Sequence, residues 1–306
     1  MYAGLMQPSR KALEKALPIL LAFSIPISTA LTTATVLLMG ILWLLTLDRA
    51  KWTAFWQHPI TLPIFMLYGW MLIGSGYGVQ TWEESTARLV DGARLIFIPI
   101  IIYYVRDGLV SKGVMSAFMT AMGVTLIAGM MKMYLNVPIG LKYTEAAVFK
   151  THIATNFFMV LGAFYVAFFA FRIKAYRWPL IILAMAMIYY VFFMSLGRIG
   201  YLAAFVLGLY TAYTFYGKKG FFLSLLALML LGSMLYIFSE VFQVRMDHLL
   251  RDWLYYEQNR ISESSLGSRL QFDLASIQLF LKHPLLGWGT GSFETAYQSF
   301  VAIGHL

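Results

Sequence analysis

Six stretches of this chain, residues 16–47, 59–82, 113–131, 151–171, 178–197 and 220–239, contain no Asp, Glu, Lys or Arg. An α-helix needs about 20 apolar residues to cross a bilayer, because its backbone polar groups must be satisfied inside the segment. The short links between the stretches are alternately basic and not. On one side fall Arg10, Lys11 and Lys15, then Arg49 and Lys51, Arg106 and Lys112, the Arg172, Lys174, Arg177 group, and Lys218 with Lys219. These links hold 12 of the 23 basic residues, which places that side in the cytoplasm.

Composition agrees. A chain 60% hydrophobic and 12% charged lies outside the soluble globular range. A net charge of +9 would point to nucleic acid in a soluble protein, but the basic links already account for half of the cations, so no nucleic-acid partner is expected. Without cysteine, thiolate chemistry, disulfides and cysteine metal sites are unavailable. The basic N-terminus followed by an apolar run reads as a first membrane segment, not a removed signal peptide.

The expected fold is all-α: a polytopic transmembrane helical bundle of about nine spans in 1–240, followed by an outer segment, 241–306, with an amphipathic helix. Residues 16–47 read as two short helices, 16–28 and 31–47, interrupted by Pro18, Pro26 and Ser28; one kinked, tilted helix is the alternative. The remaining spans are expected at 59–77, 87–105, 113–135, 152–171, 178–196, 199–216 and 220–240. Arg245 to Arg260 mixes charge with aromatic residues, as in an interfacial helix. Leu266, Leu270, Leu274, Ile277 and Leu281 then recur at helical spacing. Pro284 ends that helix, and Gly287, Gly289 and Gly291 form a turn-rich exit.

Few residues in such a chain can carry chemistry. Arg198 follows Ser195-Leu196-Gly197 at the outer surface, against the positive-inside bias; it either meets an anion there or snorkels to lipid phosphates. Arg269 falls in the first turn of a helix, where a cation opposes the helix dipole; it is either a solvated surface arginine or shares an anion with helix N–H groups. Arg88, Asp91 and Arg94 are spaced three apart on one face, and Asp91 can neutralise only one of the two arginines. Lys132 closes one span, Lys142 and Lys150 lie in the next loop, and His152 opens the following helix with Asn156 one turn on. Gly287-Trp288-Gly289-Thr290-Gly291 follows a helix, not a strand, which excludes a dinucleotide-binding loop. Glu83-Glu84 is a weak cation signal, and no metal or cofactor is expected.

Taken together, Leu196-Gly197-Arg198, Leu266-Gly267-Ser268-Arg269-Leu270, and His283-Pro284-Leu285-Leu286-Gly287-Trp288-Gly289 with Gly291-Ser292-Phe293 resemble the O-antigen ligase and O-antigen polymerase superfamily. The resemblance implies a GT-C-like glycosyltransferase of the bacterial inner (plasma) membrane. It would be multi-pass, with a cytoplasmic N-terminus and residues 241–306 periplasmic. It would be metal-independent and without a cofactor. A ligase would transfer a glycan from undecaprenyl pyrophosphate to the lipid A-core acceptor in lipopolysaccharide biosynthesis. A polymerase would extend one lipid-linked glycan with another. Residue by residue, Arg198 and Arg269 match the arginines that hold the pyrophosphate. Arg88, Arg94, Lys132 and His152, by their own placement in the sequence, are candidates for secondary substrate contacts. The family's general base is a histidine beyond the glycine-rich stretch. His305 sits too close to Phe293 for that role, so the base, the rest of the loop and the last two or three spans are expected beyond Leu306. Outside this family, the alternatives are a transporter or flippase of lipid-linked glycans and a non-catalytic polytopic scaffold.

Overall fold

The computed structural model describes residues 3–140, 146–195, 197–257 and 265–302. Among them every regular element is helical: α1 Ala3–Ile27, α2 Thr29–Leu45, α3 Arg49–Gln57, α4 Thr61–Gly74, α5 Trp82–Ala93, α6 Phe97–Val105, α7 Gly108–Tyr134, α8 His152–Arg172, α9 Arg177–Tyr189, α10 Arg198–Phe238, α11 Glu240–Glu257, α12 Ser265–Lys282 and α13 Phe293–Ala302. Four helical stretches, Gly108–Tyr134, His152–Arg172, Lys174–Met194 and Arg198–Phe238, are long and apolar enough to cross a membrane; Thr29–Leu45 and Thr61–Gly74 are shorter apolar helices.

Most helix breaks follow from local chemistry. Ser28 separates α1 from α2, and its hydroxyl accepts the Leu31 N–H at 3.2 Å, as a helix start requires. The 41 residues of α10 are two limbs: Gly217, at φ +62°, ψ −150°, interrupts them. Leu228 comes within 3.6 Å of where a Cβ on Gly208 would stand. Twenty residues of unbroken helix would separate that pair by about 30 Å, so the limbs fold back on each other at the Lys218-Lys219 turn. The expected span over 87–105 is not one helix. A capping box between Thr81 and Glu84 starts α5 at Trp82. A 3₁₀ turn at Arg94–Ile96 then separates α5 from α6. Pro99 has no N–H to offer a carbonyl four residues back, which accounts for a break at that place. The basic residues Arg10, Lys11 and Lys15 lie inside α1, not in a tail before it. Residues 49–57, expected as part of a link, form α3, capped by the Asp48 carboxylate on the Lys51 N–H at 2.7 Å.

The chain divides into two compact units, residues 1–35 with 107–248 and residues 36–106 with 249–306. In the first, α1 packs along α7, α9 along α8, and α10 on α8. Its core is Met122, Leu126, Met159, Val160, Val166, Met187 and Val191. Helices in hydrocarbon gain nothing from burying apolar surface against each other, so close approach over small residues carries the packing. Gly162 does this for α7 and α8: a Cβ there would stand 3.1 Å from Met122. The outer surface of α10 is the converse, with Leu202, Leu223 and Ile237 exposed at 63, 70 and 73%. Apolar area on that scale suits lipid, not water.

This first unit has two chemically distinct ends. At one, Lys15 and Asp107 pair at 3.7 Å, with Lys112 alongside at the start of α7. The 21 residues of α8 carry Arg172 about 30 Å away from His152, back to the same basic end. At the other end, Lys150 Nζ donates to Thr29 Oγ1 at 2.6 Å, Lys132 Nζ donates to the Ala147 carbonyl at 2.8 Å, and Gly197 meets α8. Single cysteines at Lys112, Lys174 and Phe149, in a chain with none of its own, test this arrangement. An impermeant maleimide on intact cells is expected to label position 149, and positions 112 and 174 only after permeabilisation. Equal labelling of all three from outside would contradict it.

Candidate functional site

The end of the first unit away from the basic links is built around one turn. α9 gives way to a π-helix at Tyr190–Met194. Such widened turns cost hydrogen-bond geometry and recur at functional sites. Ser195 is extended, at φ −130° and ψ 143°, and Gly197 precedes α10 with no side chain capping the helix. Asn156, fully buried in α8, donates from Nδ2 to the Gly197 carbonyl at 3.0 Å. A Cβ at Gly197 would stand 2.5 Å from that nitrogen and 3.0 Å from the His152 carbonyl, and one at Gly200 would stand 2.8 Å from the Asn156 Cβ. Glycine at both places lets the start of α10 lie directly on α8, which puts Arg198, half-buried, beside the first turn of α8.

Around that turn the chain between α7 and α8 is held inward. Ala146, Ala147 and Val148 are buried, and the Ala146 N–H reaches the Met194 carbonyl at 3.5 Å. Lys132 lies beneath this segment on the Ala147 carbonyl. Burial pushes the Lys150 ammonium below its ordinary pKa. Tyr201, one turn into α10, donates to the Ser195 carbonyl at 3.4 Å and stacks on Phe192 at 5.1 Å. Two polar atoms here are buried without a hydrogen-bond partner, Asn156 Oδ1 and Ser195 Oγ. Buried polar groups are nearly always paired, so this pair marks the turn as unusual.

Of the residues singled out in the sequence, Arg198, Lys132 and His152 therefore share one end of the first unit. Arg88, Arg94 and Arg269 belong to the second unit. Arg94 pairs with Asp91 at 3.2 Å, both side chains largely exposed, so the single acid of that face neutralises Arg94. Arg88 lines a cleft of about 480 Å³ with Glu83, Glu84 and Glu294, a setting richer in carboxylates than in cations. Arg269 is the fifth residue of α12 and is exposed. Among the described residues, no group of three or more His, Asp or Glu is placed to hold a metal ion. Lys142 and His305 lie outside the described residues.

The glycine-rich motif has a clear structural task in the second unit. The Thr290 N–H donates to the Gly74 carbonyl at 3.0 Å, and the Thr290 hydroxyl to the Met71 carbonyl at 2.7 Å. Ser85 Oγ donates to the Thr290 carbonyl at 3.0 Å, Ser292 bonds Gln80, and Tyr77 bonds the Leu286 carbonyl. Gly289, at φ +99°, leaves no room for a Cβ, which would stand 2.8 Å from the Gly74 oxygen. The motif is thus a turn clamped onto the link between α4 and α5. No protein-family model, curated protein or solved structure matches this chain.

The fit at Gly197 can be tested through stability. Gly197→Ala is expected to lower stability by about 1–3 kcal/mol, the usual cost of forcing a methyl into a filled site. In the Asn156→Ala background the same change should cost much less, because the clashing amide is gone. Thermal unfolding of the three variants in detergent measures this, and strictly additive losses would show that the two residues do not touch.

Proposed function

We propose that this protein transfers a glycan from undecaprenyl pyrophosphate to the lipid A-core acceptor, as an O-antigen ligase-like glycosyltransferase of the inner membrane working on the periplasmic face. The observation that carries the reading is Arg198: a cation opening an uncapped, apolar helix at the end of the bundle opposite the basic links. A positive charge there opposes the orienting bias of the rest of the chain, and boundary charges of that kind are kept for function. The end also holds Lys132, Lys150 and His152, so it favours an anion.

The chemistry matches these residues. When a sugar hydroxyl attacks the anomeric carbon, the bond to the pyrophosphate breaks and the leaving oxygens gain negative charge. A planar guanidinium can hold two such oxygens at once and is always charged. The reading assigns this task to Arg198 and, on the strength of the Leu266–Leu270 motif, to Arg269. The hydroxyl needs a general base, which the family resemblance makes a histidine. An O-antigen polymerase would use the same steps on a different acceptor. Transport of a lipid-linked glycan is the second reading. An apolar groove of about 790 Å³ along α8, α9 and α10, lined by Phe164, Ile188, Phe193 and Leu207 among others, would suit a moving lipid tail as well as a bound one.

Replacing either arginine tests the assignment in the intact membrane protein. Arg198→Ala and Arg269→Ala are each expected to slow transfer from the lipid-linked donor by roughly 10²–10³-fold, the loss typical of one transition-state charge stabiliser. Lysine at either position should restore part of the rate, since a point charge lacks the two-pronged geometry. Lys219→Ala, in the turn between the limbs of α10, is the control and should leave the rate unchanged. Unaltered transfer by both alanine variants would remove the proposed roles, and glycan translocation without any new glycosidic bond would favour the transport reading.

A further inference from the structure

The transfer reading gives Arg245 no task. This residue, on α11, has its Nε–H buried with no hydrogen-bond partner. The fold places it deliberately. Ser239 Oγ donates to the Phe192 carbonyl at 2.7 Å and accepts the Phe242 N–H at 3.2 Å, which fixes the start of α11 against the π-helix. The Phe242 ring then packs on Tyr201 with centroids 5.1 Å apart. Arg245 follows Phe242 by three residues and so shares its face, close enough for its charge to act on the Tyr201 phenol. Tyr201 in turn is three residues from Arg198 on α10.

Arg198 precedes Tyr201 by one turn of α10, and Arg245 follows by one turn of α11 the Phe242 ring that packs on Tyr201, so both lie near the residue that bonds the Ser195 carbonyl. The Ser195–Gly197 turn adds three features that call for a ligand. The first turn of α10 carries no side-chain cap, and free helix N–H groups attract anions. Ser195 Oγ and Asn156 Oδ1 are both unpaired, on residues with no exposed surface. A hydroxyl donor, a guanidinium N–H and helix N–H groups suit phosphate oxygens, while the carboxamide oxygen suits a hydroxyl carried by the same molecule. We propose that Arg245 is a second phosphate-binding cation of this turn, acting with Arg198 on a phosphate ester of a sugar. Naming that phosphate as part of the lipid-linked donor rests on the transfer reading; the anion site itself rests on the geometry alone.

Titration of the purified protein in lipid nanodiscs with inorganic pyrophosphate tests the site. Arg245→Ala is expected to weaken binding by about 10- to 100-fold, as for loss of one charge-assisted contact, and Arg245→Lys by less. Arg172→Ala, at the basic end, should bind as wild type. If Arg245→Ala fails to fold, chemical modification decides on the wild-type protein: pyrophosphate should protect Arg245 and Arg198 from phenylglyoxal and leave Arg172 reactive. Wild-type affinity in Arg245→Ala, or modification of Arg245 indifferent to pyrophosphate, would overturn its role while the transfer reading stands on Arg198. Absence of any pyrophosphate binding by the wild-type protein would overturn the anion site, while the transfer reading is decided separately by the rates of the Arg198 and Arg269 variants on the lipid-linked donor.

Discussion

The hydrogen bond from Asn156 to the carbonyl of Gly197 is the contact on which the candidate site depends. Within an apolar bundle, helix association draws on dispersion contacts and on scarce interhelical hydrogen bonds, without the solvent term that drives folding in water. Here one carboxamide spends its donor on the backbone carbonyl at the start of α10, and two glycines let that backbone come near enough. The place of Arg198 at the start of α10 and of Tyr201 one turn on follow from that approach, and α11 is docked beside them by Ser239 on the Phe192 carbonyl. A larger residue at 197 would separate α10 from α8 and scatter the polar groups collected there.

Charge separation gives this geometry its meaning. The first unit keeps Lys15, Lys112 and Arg172 toward one end, where the positive-inside bias explains them. Lys132, Lys150 and Arg198 at the other end have no such explanation. Two of them are held by oxygens of the fold itself, Lys132 by the Ala147 carbonyl and Lys150 by Thr29. Desolvation makes the Lys150 ammonium less willing to carry its charge, so a nearby anion would recover part of that cost. The Arg88 cleft, with three carboxylates about one guanidinium, has the opposite balance.

Much of the helical layout was legible in the sequence, because its signals are local. Uncharged runs mark α7 to α10, Ser28 marks the break after α1, and the lysine pair at 218–219 marks the turn within α10. The start of α5 is equally legible in Thr81 and Glu84, a capping pair that lies ahead of the span expected from residue 87. Other features could not be read in this way. The π-helix at Tyr190–Met194 leaves no composition signature. The clamp of Thr290 on Met71 and Gly74 joins residues more than 200 positions apart, so the glycine motif read only as a turn-rich exit. Arg245 reads in the sequence as part of an interfacial helix, because nothing nearby tells that Ser239 and Phe242 anchor that helix beside Tyr201.

The central claim is that a phosphate-bearing lipid is bound at the Arg198 end of the first unit. Photo-crosslinking tests it most directly, using a polyprenyl pyrophosphate analogue with a photoreactive group next to the pyrophosphate, followed by peptide mapping. The account predicts adducts within residues 146–156 and 190–201, suppressed by excess inorganic pyrophosphate. Adducts confined to the basic links around Lys112 and Arg172, or labelling that inorganic pyrophosphate does not suppress, would contradict it.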